Sequence, residues 1–137
     1  MNINKLKEAM PFALKARIPL MLIGHHGVGK TEGVRQFCEE NGHLLRIVNL
    51  GTQEVGDIIG LADFEKDSTG NNVATKFMIP DWAKQILEFC KNNPDKHAVL
   101  FFDEINRARR DVLQVVFPIL LEARIHTTQF PKNFYVM

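Results

Sequence analysis

Apolar residues along the chain fall into short continuous runs and into stripes at helical spacing. A continuous apolar run bounded by turn residues is typical of a strand that is buried on both faces. Such runs predict strands at residues 20–23, 44–50, 98–102 and 134–137. The apolar stripes predict helices at about residues 3–16, 32–40, 81–92 and 111–123. Since strands alternate with helices, the pattern predicts an α/β domain with a parallel sheet.

Two local features modify this pattern. Pro11 lies inside the first helical stripe, where a proline is expected to kink the helix or split it in two. The glycine-rich stretch 51–60 is ambiguous, with Asp57 as a candidate cap for a short helix. After it, residues 61–64 and 73–79 can pair as a hairpin across a polar turn.

The composition fits one folded domain and narrows its setting. The chain has 137 residues, of which 45% are hydrophobic and 24% charged, so it can form a core of ordinary size. A net charge of +1 argues against a protein dedicated to polyanions. Cys38 and Cys90, without a CxxC spacing, indicate neither a disulfide framework nor a zinc site, and both are expected to be buried in helices. We therefore expect a cytoplasmic protein, and no membrane partner because no long apolar segment is visible.

Residues 24–31, GHHGVGKT, match the phosphate-loop pattern G-x-x-x-x-G-K-[ST]. Glycines let backbone N–H groups curl around a phosphate, and the positive end of the following helix points at the same anion. In this pattern Lys30 reaches the β- and γ-phosphates, and the Thr31 hydroxyl binds Mg²⁺. His25 and His26 occupy variable positions, where they either contact phosphate or are exposed loop side chains. The predicted nucleotide-binding residues of the loop are Gly24, His25, His26, Gly27, Val28, Gly29, Lys30 and Thr31.

An acidic pair, Asp103 and Glu104, follows the third predicted strand. A buried parallel strand delivers Asp103 to the sheet edge beside the phosphate loop, where its carboxylate can hold Mg²⁺ together with Thr31. Glu104 is then placed to activate the attacking water as a general base. A strand ending in two acids is common by itself, so this interpretation depends on the phosphate loop. No N-K-x-D motif is present, which argues against a small GTPase.

Residues 103–108, DEINRA, make the picture more specific. This sequence after a hydrophobic strand resembles the MoxR-like branch of AAA+ ATPases, with the related dynein-like and midasin-like group. Residues 13–19 resemble that family's entry segment, and residues 48–60 resemble its second strand and the start of its helix-2 insert. Residues 112–136 resemble the helix and strand that follow the acidic pair. The resemblance covers essentially the whole chain.

The resemblance implies a P-loop NTPase fold of AAA+ type, with three α/β/α layers around a parallel sheet in strand order 5-1-4-3-2. It implies that residues 1–137 form a nucleotide-binding α/β subdomain, with a helix-2-type insert and its hairpin at about 51–79. The chain stops before the family's fifth strand, arginine finger, sensor residues and helical lid, so we expect an incomplete subdomain. The first strand, residues 20–23, would then lie at a sheet edge. His26 stands where many relatives carry a proline.

The activity implied by the resemblance is Mg²⁺-dependent ATP hydrolysis that drives remodelling of a protein or nucleoprotein partner. Such proteins usually assemble into hexameric rings, and many act with a protein carrying a von Willebrand A domain. The expected cofactors are ATP and Mg²⁺. The expected catalytic residues are Glu104, Lys30 and Asn106, where Asn106 positions Glu104 or water or, alternatively, only begins a helix.

Two alternatives stay open. Because the distal elements of the family are missing, the chain could be a nucleotide-binding switch or interaction module that does not hydrolyse ATP. The small basic cluster of Arg107, Arg109 and Arg110 also allows a DNA-associated AAA+ protein of the helicase-loader type, although the balanced charge makes a solvated or subunit-facing surface the better interpretation. For Arg107 itself two interpretations stay open, in which it either reaches a neighbouring subunit or a phosphate, or is a solvated charge.

Overall fold

The computed structural model describes residues 2–25 and 27–137. Its elements follow one another along the chain as α1 (Ile3–Ala16), α2 (Lys30–Asn41), β1 (Leu44–Asn49), α3 (Val55–Ile59), β2 (Leu61–Lys66), β3 (Asn72–Met78), α4 (Asp81–Asn92), β4 (Ala98–Asp103), a turn of 3-10 helix (Ile105–Arg107), α5 (Arg110–Glu122), β5 (Arg124–Ile125), β6 (Thr128–Gln129) and β7 (Phe134–Val136). Within the described residues, no helix is long and apolar enough to cross a membrane.

The main sheet of the described residues has three parallel strands in the order β1-β4-β7. Leu44 lies opposite Ala98 at one end of the β1–β4 pair, and Asn49 lies opposite Asp103 at the other. On the other side of β4, β7 pairs with its first half. The order confirms the expected arrangement of the second, third and fourth strands of an AAA+ sheet, and it puts β4 in the centre.

Helices cover both faces of the sheet, because side chains of the central strand alternate between two apolar clusters. Leu100 and Phe102 pack with residues of α3, α4 and α5. Val99 and Phe101 pack with residues of α1 and α2 on the opposite face. All five residues from Ala98 to Phe102 are buried, as the continuous apolar run predicts. The three-layer α/β/α expectation is therefore confirmed.

The first helix is not split at its proline. It runs as one α-helix through Pro11, and its buried stripe includes Leu6 and Met10. A Cβ on Gly33 would lie 3.0 Å from Leu6 Cδ2, so the glycine lets α2 approach α1 closely. Packing of the apolar stripe stabilises the helix despite the amide missing at Pro11.

The prediction of a strand at residues 20–23 is wrong. Within the described part of the chain, these residues have no regular secondary structure and join no sheet. Leu20 and Leu22 pack partly against the α1–α2 side of the sheet, whereas Met21 and Ile23 are 72% and 78% exposed. The apolar run indicated burial on both faces, but only one face of the segment has neighbours. The expected apolar edge strand is therefore an irregular segment that lies beside β7.

The segment between β1 and α4 has the predicted hairpin. β2 and β3 pair antiparallel, and every residue of both strands is exposed. The ambiguous stretch before them contains α3, where Glu54 and Asp57 form a reciprocal capping box, so Asp57 does cap this helix. The small β5–β6 hairpin was not predicted. It contacts the β2–β3 hairpin through a stack of His126 on Phe77, with ring centroids 3.7 Å apart.

Both cysteines are buried, in α2 and α4, as predicted. Burial raises the pKa of the Cys38 thiol to about 12 and also raises the pKa of Cys90. The thiols are therefore protonated and unreactive at neutral pH, because the thiolate is the nucleophilic form. Trp82, Ile86 and Phe89 pack on the α4 side of the core as expected, with Ile86 fully buried.

Candidate functional site

The glycine-rich loop leads directly into α2. Gly27 and Gly29 have φ angles of 77° and 79°, in the left-handed region that side chains rarely adopt. Gly29 is also the N-cap of α2 and supplies no side-chain cap, so the first-turn N–H groups of the helix face the loop. His25 and Val28 are exposed. His26, which was predicted to belong to the site, lies outside the described residues.

The lysine of the loop folds back over it. Lys30 Nζ donates to the carbonyl oxygens of Gly24 and His25, at 2.7 and 3.0 Å. The ammonium group therefore lies over the first residues of the loop, close to the positive end of α2. This arrangement concentrates positive charge where the sequence predicts the phosphates.

A hydrogen bond joins the phosphate loop to the end of the central strand. Thr31 Oγ1 donates to Asp103 Oδ2 at 3.0 Å, although 72 positions separate the two residues. The other carboxylate oxygen, Asp103 Oδ1, accepts from the Glu104 N–H at 2.8 Å. Mg²⁺ prefers oxygen ligands, including hydroxyl and carboxylate oxygens, so this pair fits the ion chemically.

Glu104 lies just beyond the strand in a bent backbone. Its φ of 53° is left-handed, and the Arg107 N–H donates to its carbonyl oxygen at 2.9 Å, closing a turn of 3-10 helix. The turn brings Arg107 Nη1 to 3.4 Å from Glu104 Oε1. For Arg107 the sequence left open contact with a phosphate or another subunit and a solvated charge; in the structure the side chain is 57% exposed, and its described ion pair is with Glu104. Asn106 is exposed on the same turn.

Two residues, one at the end of β1 and one in the turn after it, border this site and were missed by the sequence analysis. Asn49 lies opposite Asp103 in the sheet, and its Oδ1 accepts from the Gly51 N–H at 2.9 Å. A Cβ on Gly51 would lie 3.3 Å from Glu104 Oε2. The signal was available, because the carboxyl ends of neighbouring parallel strands meet at the same edge of a sheet.

Comparison with protein families gives a match over residues 19–134 to the AAA domain, dynein-related subfamily. The chain belongs to this family. The matched region contains the phosphate loop, the acidic pair and the strands β1 and β4 of the main sheet, and it ends at the first residue of β7. No curated protein sequence gives a significant match.

Membership of the AAA family accounts for the way this site is built. It supports nucleotide binding and an ATPase activity, with ATP and Mg²⁺ as the molecules that AAA proteins generally use. It also supports self-association, which is frequent among AAA proteins. In the basic cluster on which the DNA-associated alternative depends, Arg107 and Arg109 each lie beside a carboxylate, that of Glu104 and that of Asp111.

Proposed function

We propose that this AAA domain binds ATP with Mg²⁺, hydrolyses it, and in a MoxR-like manner uses the cycle to remodel a protein or nucleoprotein partner. The observation that carries the ATPase part is the 3.0 Å hydrogen bond between Thr31 and Asp103. It supports a single site because it brings the two halves of the nucleotide motif, the loop and the acidic strand end, into contact.

The loop residues supply the phosphate contacts in this proposal. Backbone N–H groups of residues 24–31 and the N-terminus of α2 surround the phosphates, and Lys30 exchanges its two carbonyl contacts for the β- and γ-phosphate oxygens. Thr31 and Asp103 hold the metal ion. Bound there, Mg²⁺ would neutralise charge on the phosphate oxygens.

Glu104 is the proposed general base. Its carboxylate accepts a proton from the attacking water while the water oxygen bonds to the γ-phosphorus and the bond to the bridging oxygen of ADP breaks. Its side chain is 21% exposed, so water can reach it. Asn106, exposed on the same 3-10 turn, is the proposed water-positioning residue.

The remodelling role is supported by the DEINRA sequence after β4, which resembles MoxR-like proteins. A ring of subunits and a partner with a von Willebrand A domain belong to the same proposal. The β2–β3 hairpin, which is exposed along both strands, lies at the position of the helix-2 insert in that resemblance.

Two substitutions separate binding from hydrolysis. Lys30→Ala removes the ammonium group and is expected to abolish ATP binding, as measured by fluorescence titration with a labelled nucleotide. Glu104→Gln keeps the shape but removes the base, so binding stays within about twofold while turnover falls by about 10²–10⁴-fold. Lys84→Ala and Glu88→Gln, on α4, are the matched controls and change neither quantity.

The wild-type chain decides between hydrolysis and a nucleotide switch. ATP binding together with turnover supports the proposal. Binding without turnover contradicts the hydrolysis step and supports the non-hydrolysing module instead. Normal turnover in Glu104→Gln would show that another group activates water.

A further inference from the structure

The Glu104 carboxylate is confined on two sides by residues to which the nucleotide motif assigns no role. Arg107 Nη1 lies 3.4 Å from Oε1, and a Cβ on Gly51 would lie 3.3 Å from Oε2. We propose that Arg107 is a positioning residue that orients Glu104, and that the glycine at position 51 leaves room for the pair. This inference rests on the proposed ATPase function and concerns the same site.

Hydrogen bonds of the backbone bring Arg107 close to Glu104. The Glu104 N–H donates to Asp103 Oδ1, and its carbonyl oxygen accepts from the Arg107 N–H. These two bonds hold residue 104 in its left-handed conformation and turn residue 107 back towards it. The guanidinium therefore approaches the carboxylate from a short, hydrogen-bonded turn rather than from a flexible loop.

The turn after β1 closes the other side. A Cβ on Gly51 would also lie 3.2 Å from Arg107 Cβ and 3.2 Å from Asn49 Oδ1. Ordinary contacts of a Cβ begin at about 3.4 Å, so an alanine here would push the arginine stem or the carboxylate aside by a few tenths of an ångström. Gly51 is not among the residues with positive φ, so alanine acts at this position through its volume and not through backbone strain.

The ion pair itself adds little to folding. The Arg107 side chain is 57% exposed, and exposed ion pairs contribute little to stability. An effect on the reaction is still expected, because a small displacement of a catalytic group can slow a reaction strongly. Arg107 and Gly51 should therefore influence kcat much more than stability or nucleotide affinity.

The kinetic test compares four variants with the wild-type chain. In Arg107→Ala, kcat for ATP is expected to fall about tenfold, with KM and the dissociation constant for ATP within about twofold. Arg107→Lys keeps a positive charge and recovers part of the loss. Gly51→Ala lowers kcat by a few-fold. Arg109→Ala removes the neighbouring exposed arginine, which pairs with Asp111, and leaves kcat unchanged.

A second measurement does not depend on turnover. In the ¹⁵N spectrum of the arginine side chains, the Arg107 Nη signals should show slowed rotation about the guanidinium bond, and Glu104→Ala should shift these signals and weaken that slowing. Identical Arg107 signals in both proteins would overturn the contact. An unchanged kcat in Arg107→Ala, or an equal loss in Arg109→Ala, would overturn the positioning role while the ATPase function stands. Lack of binding and turnover in the wild type would instead refute the ATPase function, and the spectrum would still test the contact.

Discussion

Residues 20–23 and strand β4 are both short apolar runs. The first precedes the phosphate loop and the second ends at Asp103, yet only β4 forms a strand of the sheet. β4 lies between β1 and β7, and helices cover both of its faces. Residues 20–23 have packing neighbours on one face only. Leu20 and Leu22 are half-buried on that face, whereas Met21 and Ile23 are exposed. Hydrophobicity is therefore sufficient to draw a segment onto the core, but not to make it a strand.

The difference also separates the two halves of the site mechanically. Asp103 is carried by a buried strand with hydrogen-bonded neighbours on both edges. The segment before the phosphate loop packs partly through Leu20 and Leu22 and is hydrogen-bonded to β7 by the Tyr135 side chain, whose Oη donates to the Ile18 carbonyl at 2.8 Å and accepts from the Leu20 N–H at 3.1 Å. We expect the acidic half to be the firmly held part of the site and the segment leading into the loop to be the lightly held part.

The largest effect is expected from truncating the central strand. Leu100 is fully buried, so Leu100→Ala should lower the free energy of unfolding by about 2–5 kcal/mol in urea denaturation. Met21→Ala, in the exposed part of the other run, should change it by no more than about 0.5 kcal/mol. Equal losses in the two variants would mean that both runs belong to the core, and the contrast would be lost.

Acid is expected to weaken the sheet at its opposite end. His43 Nδ1 accepts from the His97 N–H at 3.1 Å where β1 and β4 begin. Burial, followed by repulsion from His97 and Lys96, lowers the pKa of His43 from 6.5 to about 4. Between these values the unfolded chain binds the proton and the folded chain does not, so stability is lost as the pH falls from 6.5 towards 4.

The measurement for this prediction is the urea midpoint as a function of pH. Because one pKa unit corresponds to about 1.4 kcal/mol, the loss should be of the order of 2 kcal/mol at pH 4.5. His43→Gln should flatten the profile in part, since burial also lowers the pKa of His97. His126→Gln, an exposed histidine, is the control, and an equal flattening in it would refute the assignment to His43.

The smallest effect is expected from releasing the attached segment. Tyr135→Phe removes both hydrogen bonds to the segment and should cost about 1 kcal/mol of stability. Hydrogen exchange at the Leu20 amide should accelerate strongly. Exchange at the Leu100 amide should accelerate only as much as the loss of global stability requires. An unchanged Leu20 amide would show that contacts other than the tyrosine hydroxyl hold the segment.

Much of the fold was predictable because the physical signals were local. The ends of the helices predicted at about residues 32–40 and 81–92, the apolar run of β4 and the turn-bounded hairpin each depend on neighbouring residues, and the structure confirms them. The failure at residues 20–23 has a different origin, since an edge position depends on what lies beside and above the segment. The sequence carries no local signal for that.

The candidate site divides in the same way. The loop pattern and the acidic strand end together predicted Lys30, Thr31 and Asp103 as one site, and the structure brings Thr31 and Asp103 into contact. The neighbours of Glu104 were not foreseen, because Gly51 and Arg107 approach it from two different segments. The ion pair of Arg107 depends on a left-handed residue and a 3-10 turn, which no spacing rule predicts.

The sequence by itself determined the family-like motif, the α/β alternation and the buried identity of the central strand, because those depend on residue type and spacing. Only the tertiary structure decided which apolar run became a strand and which side chains confine Glu104. Both of these depend on the packing of segments distant in the sequence, whose geometry is set when the helices close over the two faces of the sheet.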